Sequence, residues 1–214
     1  MTVSITIDEA TVRLRRAKRV LVIGCSGSGK STLARRLSGT LGLRHVPMDR
    51  EIFWMPGWRM RPRDEALARL REVVATDFWI IDGTSPGTLP LRLPRSDLVI
   101  WMRPPRRVSL CGVLGRWLKC RGRTRPDMAD GCPERISLEF LRYIWNFERT
   151  ESPEIEARLG EHAAVPVVVL RSRTEADRLA MAVEAVTNAG DAPVFTDRDV
   201  ACSASAPRRT PSSH

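Results

Sequence analysis

Val20-Leu21-Val22-Ile23-Gly24-Cys25-Ser26-Gly27-Ser28-Gly29-Lys30-Ser31-Thr32 is the stretch that decides the reading of this chain. Four branched apolar residues run without a polar break and stop at glycine. That is the pattern of a strand buried on both faces of a parallel sheet. Residues 24–31 then satisfy G-x-x-x-x-G-K-[ST] at every fixed position. The glycines let the backbone curl, so that successive N–H groups point inward at phosphate oxygens. Leu33, Ala34, Leu37 and Leu41 recur at helical spacing, and Gly42 is a natural stop. A helix therefore starts at the loop and adds the positive end of its dipole. Gly24, Ser26, Gly27, Ser28, Gly29, Lys30, Ser31 and Thr32 are the expected ATP-binding residues. Lys30 is expected at the β- and γ-phosphates and Ser31 at Mg²⁺. Cys25 reads as a small buried filler rather than a reactive thiol.

Outward from the loop, apolar runs at 45–48, 78–81, 98–102 and 165–170 predict four more strands. Amphipathic stretches at about 61–74, 107–119, 137–147, 153–159 and 174–186 predict helices between and after them. Strands alternating with helices imply an α/β fold, a parallel sheet covered on both faces. Residues 1–18 read as an irregular lead-in with room for a short strand, and 19–186 as one domain. Residues 187–214, rich in Ala, Ser, Pro and Thr, read as a disordered tail.

The 214 residues are 43% hydrophobic, enough for one real core. The net charge of +10 comes mostly from arginine. It suits an anionic partner, whether phosphorylated small molecule, nucleic acid or membrane surface, and equally a general bias toward arginine. The five cysteines, Cys25, Cys111, Cys120, Cys132 and Cys202, form no C-x-x-C pair. Cys111, Cys120 and Cys132 flank the lid described below, at spacings wider than paired zinc ligands. With no apolar h-region at the N-terminus and no apolar run near membrane length, a cytoplasmic protein is the expectation.

Ligands of open parallel sheets bind beyond the carboxyl ends of the strands. Two acids arrive there with the phosphate loop. Asp82 closes Trp79-Ile80-Ile81, an apolar run of the kind that ends in a Mg²⁺-binding aspartate. Asp49 follows the second strand and is a candidate general base for an acceptor hydroxyl, or a further metal contact. For both, a plain turn or cap role is the alternative. Arg116, Arg121, Arg123 and Arg125 cluster before and in a Gly/Pro-rich segment. They read as a lid over about 112–134 that closes on ATP and stabilises the moving phosphoryl group. Arg92 is a candidate clamp for an anionic acceptor. Arg171 and Arg173 follow the last strand and are expected beside the nucleotide base. Phe53, Trp54 and Trp58 are candidates to stack on an acceptor, with packing of their own loop as the alternative.

These residues resemble the adenylate-kinase-like P-loop proteins of the DNA topology modulation protein family. The resemblance is carried by residues 24–31, Met48-Asp49 with Phe53-Trp54-Met55-Pro56-Gly57-Trp58, and Trp79-Ile80-Ile81-Asp82-Gly83. Above all it is carried by 121–129 with Gly131-Cys132-Pro133-Glu134. Tyr143-Ile144-Trp145-Asn146-Phe147 and Val169-Leu170-Arg171-Ser172-Arg173 complete it, so that about 19–180 is covered. It implies a five-stranded parallel sheet of the nucleoside monophosphate kinase type, an ATP site and a lid. Lys30 and Ser31 become phosphate and Mg²⁺ residues, and the lid arginines transition-state clamps. Two departures bear on the acceptor side. Thr84-Ser85-Pro86-Gly87 stands where the family continues with Asn, an aromatic residue and Arg, and Arg103 stands where an acid is expected.

The leading reading is an ATP-dependent kinase acting on a small acceptor. Asp49 favours a hydroxyl acceptor, which must lose a proton, and Arg92 favours a phosphate acceptor, which need not. The alternatives are an ATPase switch and a nucleotide-gated nucleic-acid-binding protein that influences DNA topology.

Overall fold

The computed structural model describes residues 2–189. In chain order the strands are β1 (Arg19–Gly24), β2 (Arg44–Pro47), the short pair β3 (Trp54–Met55) and β4 (Arg59–Met60), β5 (Trp79–Asp82), β6 (Leu98–Met102) and β7 (Val167–Leu170). The helices are α1 (Ile7–Leu14), α2 (Lys30–Leu41), α3 (Arg63–Ala75), the short α4 (Leu89–Arg92), α5 (Arg106–Cys120), α6 (Leu138–Thr150), α7 (Ser152–Glu161) and α8 (Arg173–Asn188). Five strands form one parallel sheet in the order β2-β5-β1-β6-β7. All five are the strands expected from the apolar runs.

Strand alternation divides the core between two faces. Val20, Val22, Ile80, Ile100 and Val168 face one way and pack with Leu33 and Leu37 of α2 and Leu179 and Val183 of α8. Leu21, Ile23, Trp79, Ile81, Val99 and Trp101 face the other way, toward α3, α5, α6 and α7. Both faces of each strand are therefore apolar, which is why the strands read as unbroken hydrophobic runs rather than alternating ones.

The N-terminal segment departs from the irregular lead-in expected of it. α1 starts at a capping box, Thr6 with Glu9, in which each side chain bonds the other's backbone N–H. Ahead of it, Ser4 bridges β7 in parallel, with Ile5 N–H donating to Val167 O at 3.0 Å. Ala10 and Leu14 are 0% exposed and belong to the core. Leu14→Ala is expected to lower stability by about 2–5 kcal/mol through the cavity it leaves. A urea midpoint unchanged from wild type would place α1 outside the cooperative unit. At the other end α8 runs to Asn188, and the tail expected from there on falls, from residue 190, outside the described residues. Among the described residues, no helix is long and apolar enough to cross a membrane.

Candidate functional site

The phosphate loop leaves β1 and enters α2 over the carboxyl end of the sheet. Its conformation needs glycine. Gly24, Gly27 and Gly29 have φ of 140°, 79° and 104°. At Gly27 space is closed as well: a Cβ there would lie 2.1 Å from Ser109 O on α5. Gly112 meets the loop from the other side, where its Cβ would stand 2.2 Å from Gly27 O. The loop is thus pressed between its own helix and α5.

A cavity of about 510 Å³ opens beside it. Gly27, Gly29, Lys30, Ser31 and Thr32 line one wall, and Arg116, Arg125 and Arg173 supply positive charge from α5, the loop after it and α8. Cys111 and Cys120 also face it, apart from Cys132 in the lid. A nucleotide fits the size, the charge and the glycine-lined floor. Ser31 Oγ donates to Asp82 Oδ1 at 3.1 Å, and Asp82 is 4% exposed. A hydroxyl and a carboxylate oxygen side by side are the hard donors that Mg²⁺ takes. Asp82 has a further partner that sequence reading passed over. His45 Nε2 lies 2.6 Å from its other oxygen, Oδ2. His45 sits on β2, in register with Ile80 of β5, and only sheet pairing brings it there.

Asp49 opens a π-helical turn, Asp49–Phe53, directly after β2. Its side chain is exposed, yet protein packs closely around it. That crowding raises its carboxyl above the ordinary value. Lys30, Arg125 and Arg116 oppose the rise, and Asp82 adds to it. Asp49 is therefore in electrostatic contact with four of the residues expected at the site. Cys25, 7% exposed, has its thiol pushed up to about 12, first by burial, with Lys30 opposing. It is a neutral filler at physiological pH. Tyr143 of α6 shares this recess. Its hydroxyl is shifted upward by burial and then by Cys25, Glu151 and Asp49.

Several expected site residues stand elsewhere. Arg92 clamps no acceptor. It is 0% exposed and donates to the carbonyls of Gly83 at 2.7 Å, of Ser85 at 3.2 Å and of Thr84. Burial pushes its pKa down to about 9, so it remains a cation at neutral pH. Its work is to hold the turn after β5, where Thr84 Oγ1 accepts from Gly24 N–H at 2.9 Å and donates to Gly24 O at 2.5 Å. The departure at Thr84 thus braces the start of the phosphate loop. Arg92→Met would strip the guanidinium donor from three carbonyls, one buried and two half-buried. A loss of about 3 kcal/mol is expected, read by urea unfolding, and a loss below about 1 kcal/mol would contradict this bracing role.

Arg121 lies over the Trp117 ring at 5.4 Å, and Arg123 and Arg171 are exposed outside the cavity wall. Arg103 pairs with Glu148 at 2.8 Å and Glu156 at 2.7 Å, joining β6 to α6 and α7. The aromatics are half-buried and pack on their own surroundings. Phe53 leans on the core. Trp54 and Trp58 meet edge to face at 5.2 Å and cover Met128, Ala129 and Cys132 of the lid. Trp58 N–H points at Cys132 Sγ at 3.1 Å, Trp58 Nε1 donates to Pro133 O at 3.2 Å, and Gly57 N–H donates to Asp130 O at 3.2 Å. The β3–β4 hairpin thus packs against the loop over 128–133, and the first part of the segment expected as a lid, 112–120, is instead the end of helix α5.

No family model matches the chain. Over 164 residues it is 26% identical to shikimate kinase of Buchnera aphidicola subsp. Acyrthosiphon pisum, covering 70% of this chain and 91% of that one. The structure of shikimate kinase from Acinetobacter baumannii in complex with shikimate superposes with a TM-score of 0.52. That match has 14% identity and covers 84% of this chain and 97% of that one. The fold is that of the P-loop kinases.

Proposed function

We propose that this P-loop kinase moves the γ-phosphoryl group of ATP to a hydroxyl of a small acceptor, with Asp49 as the base. The observation that carries the reading is the company Asp49 keeps. Its carboxylate is held in the field of Lys30, Arg125 and Arg116. Those cations belong around a transferring phosphoryl group, and a base belongs where the attacking oxygen enters. The burial of Arg92 removes the residue that had favoured a phosphate acceptor. The 26% identical shikimate kinase bears a name that denotes a hydroxyl acceptor, which supports the same class without fixing the compound.

In this mechanism the acceptor oxygen forms a bond to the γ-phosphorus as the bond to the β-bridging oxygen breaks. ADP leaves, and the acceptor proton passes to Asp49. Lys30 steadies the β- and γ-oxygens, and Arg116 and Arg125 take up charge on the moving group. Arg173, whose Nη2 donates to Gly27 O at 3.2 Å, lines the outer part of the nucleotide site. Ser31 and Asp82 would hold Mg²⁺, which when bound neutralises phosphate charge. His45 keeps Asp82 oriented. Membership of the adenylate-kinase-like topology modulation proteins belongs to the same proposal, supported by the specific stretch from Arg121 to Glu134.

The test is ADP formation from ATP and Mg²⁺ with a panel of polyol acids, sugars, nucleosides and nucleoside monophosphates. Acceptor-dependent turnover confined to the hydroxyl compounds is expected. Turnover with nucleoside monophosphates alone would overturn the role of Asp49, and ATP binding without any acceptor-dependent turnover would favour a switch.

A further inference from the structure

Glu134 is an acid at the far end of the lid, yet it is only 8% exposed. Each of its carboxylate oxygens faces a different guanidinium. Arg116 Nε donates to Oε1 at 2.9 Å, with Nη2 also 2.9 Å from that oxygen. Arg125 Nε lies 2.5 Å from Oε2. One arginine comes from α5 and the other from the lid loop, and both line the nucleotide cavity. Two guanidiniums so placed repel each other. Arg116 is disfavoured as a cation first by burial and next by Arg125, and Glu134 opposes both. Glu134 is the carboxylate in direct contact with both guanidiniums, and Asp49 adds only a longer-range attraction to each.

The backbone fixes where that carboxylate stands. Glu134 N–H donates to Arg123 O at 3.1 Å, Arg121 bridges Glu134, and Thr124 bridges Pro133. The tip of the same loop is seated on Trp54 and Trp58. Arg35 of α2 also pairs with Asp127 in the loop at 2.5 Å. The loop is therefore anchored on both sides of the arginine pair, independently of any ligand.

We propose that Glu134 is a positioning residue that assembles Arg116 and Arg125 side by side before nucleotide arrives, so that the transferred phosphoryl group meets a preformed cationic pair. This rests on the reading of the chain as a phosphotransferase. The preformed pair acts on the transition state more than on bound nucleotide, because charge spreads over the equatorial oxygens only as the phosphoryl group moves. Arg116 and Arg125 touch the reacting group, and Glu134 acts through them.

The experiment compares the affinity of the full chain for Mg²⁺-ADP with that for Mg²⁺-ADP plus aluminium fluoride, by titration calorimetry. The fluoride complex stands in for the phosphoryl group in transfer, and no acceptor is needed. Wild type is expected to prefer the fluoride complex. Glu134→Gln should weaken the fluoride complex by about tenfold or more and leave ADP affinity within about threefold. In an R116A/R125A background the same substitution should change neither affinity by more than about twofold, because its effect runs through the two arginines. If E134Q does not fold, E134D carries the test. A selective loss of the fluoride complex then supports the proposal, and affinities unchanged from wild type overturn it. Equal weakening of both complexes by E134Q overturns the proposal, since a merely structural role would do that. So does an undiminished effect in the R116A/R125A background. No preference for the fluoride complex in wild type would overturn the phosphotransfer reading itself, whereas a preference kept intact in E134Q sinks only the role of Glu134.

Discussion

Asp49→Asn is expected to lower kcat by about 10²–10⁴-fold, the range that a positioned general base contributes. KM for ATP should move little, because the role proposed for Asp49 is toward the acceptor and Asp49 is not among the residues lining the nucleotide cavity. Asparagine keeps the size of the side chain and only exchanges one acceptor oxygen for an NH₂ donor, so folding should be little affected. The pH profile provides a second reading of the same variant. A base works only when ionised. The carboxyl of Asp49 is raised by the protein packed around it, with Asp82 adding and Lys30 the first of the opposing cations. The acid limb of kcat/KM should therefore lie above the ordinary carboxylate range, with activity falling as pH drops through that raised value. The limb should be absent in Asp49→Asn. In Arg125→Ala it should move higher still, because one opposing cation is gone. A wild-type profile flat through the acid range would mean that Asp49 takes no proton.

Lys30→Ala is the other large effect. We expect kcat to fall by about 10²–10³-fold, the cost of removing one preorganised charge from a transferring group. Lys30 lines the floor of the nucleotide cavity and is among the cations acting on both Asp49 and Cys25. Its loss should thus weaken Mg²⁺-ATP binding as well as transfer. ADP release measured under saturating ATP separates the two effects. Activity within a few-fold of wild type would sink the assignment of residues 24–31 as a phosphate-binding loop. The two variants are close in space, so their effects are not expected to add.

The candidate site was unevenly legible. Lys30, Ser31 and Asp82 could be named as candidates because their positions follow from backbone geometry close in sequence: a loop after one strand, an acid at the end of another. Arg92 could not be told from a surface clamp. Its fate depends on where the turn after β5 folds back, and its partners are the carbonyls of Gly83, Thr84 and Ser85. The four lid arginines looked alike in sequence, but Arg116 and Arg125 line the cavity while Arg121 and Arg123 do not. What separates them is Glu134, which pairs with the first two only. His45 carried no local signal at all, since its partner Asp82 is 37 residues away on a neighbouring strand. α1 did carry one, Thr6-Ile7-Asp8-Glu9, a capping box ahead of an amphipathic stretch.

What the sequence by itself determined is the set of features that repeat within a few residues. These are the five buried strands, from their continuous apolar runs, the helices between them, from their spacing, and the phosphate loop, from glycines that alone tolerate its φ values and its approach to α5. Tertiary structure decided everything that depends on which distant side chains meet. It buried Arg92, set His45 against Asp82, packed Met128, Ala129 and Cys132 on Trp54 and Trp58, and drew Arg116 and Arg125 onto one carboxylate. The physical reason is that hydrophobic periodicity and backbone sterics are local, whereas the pairing of a charge depends on the geometry of the whole fold.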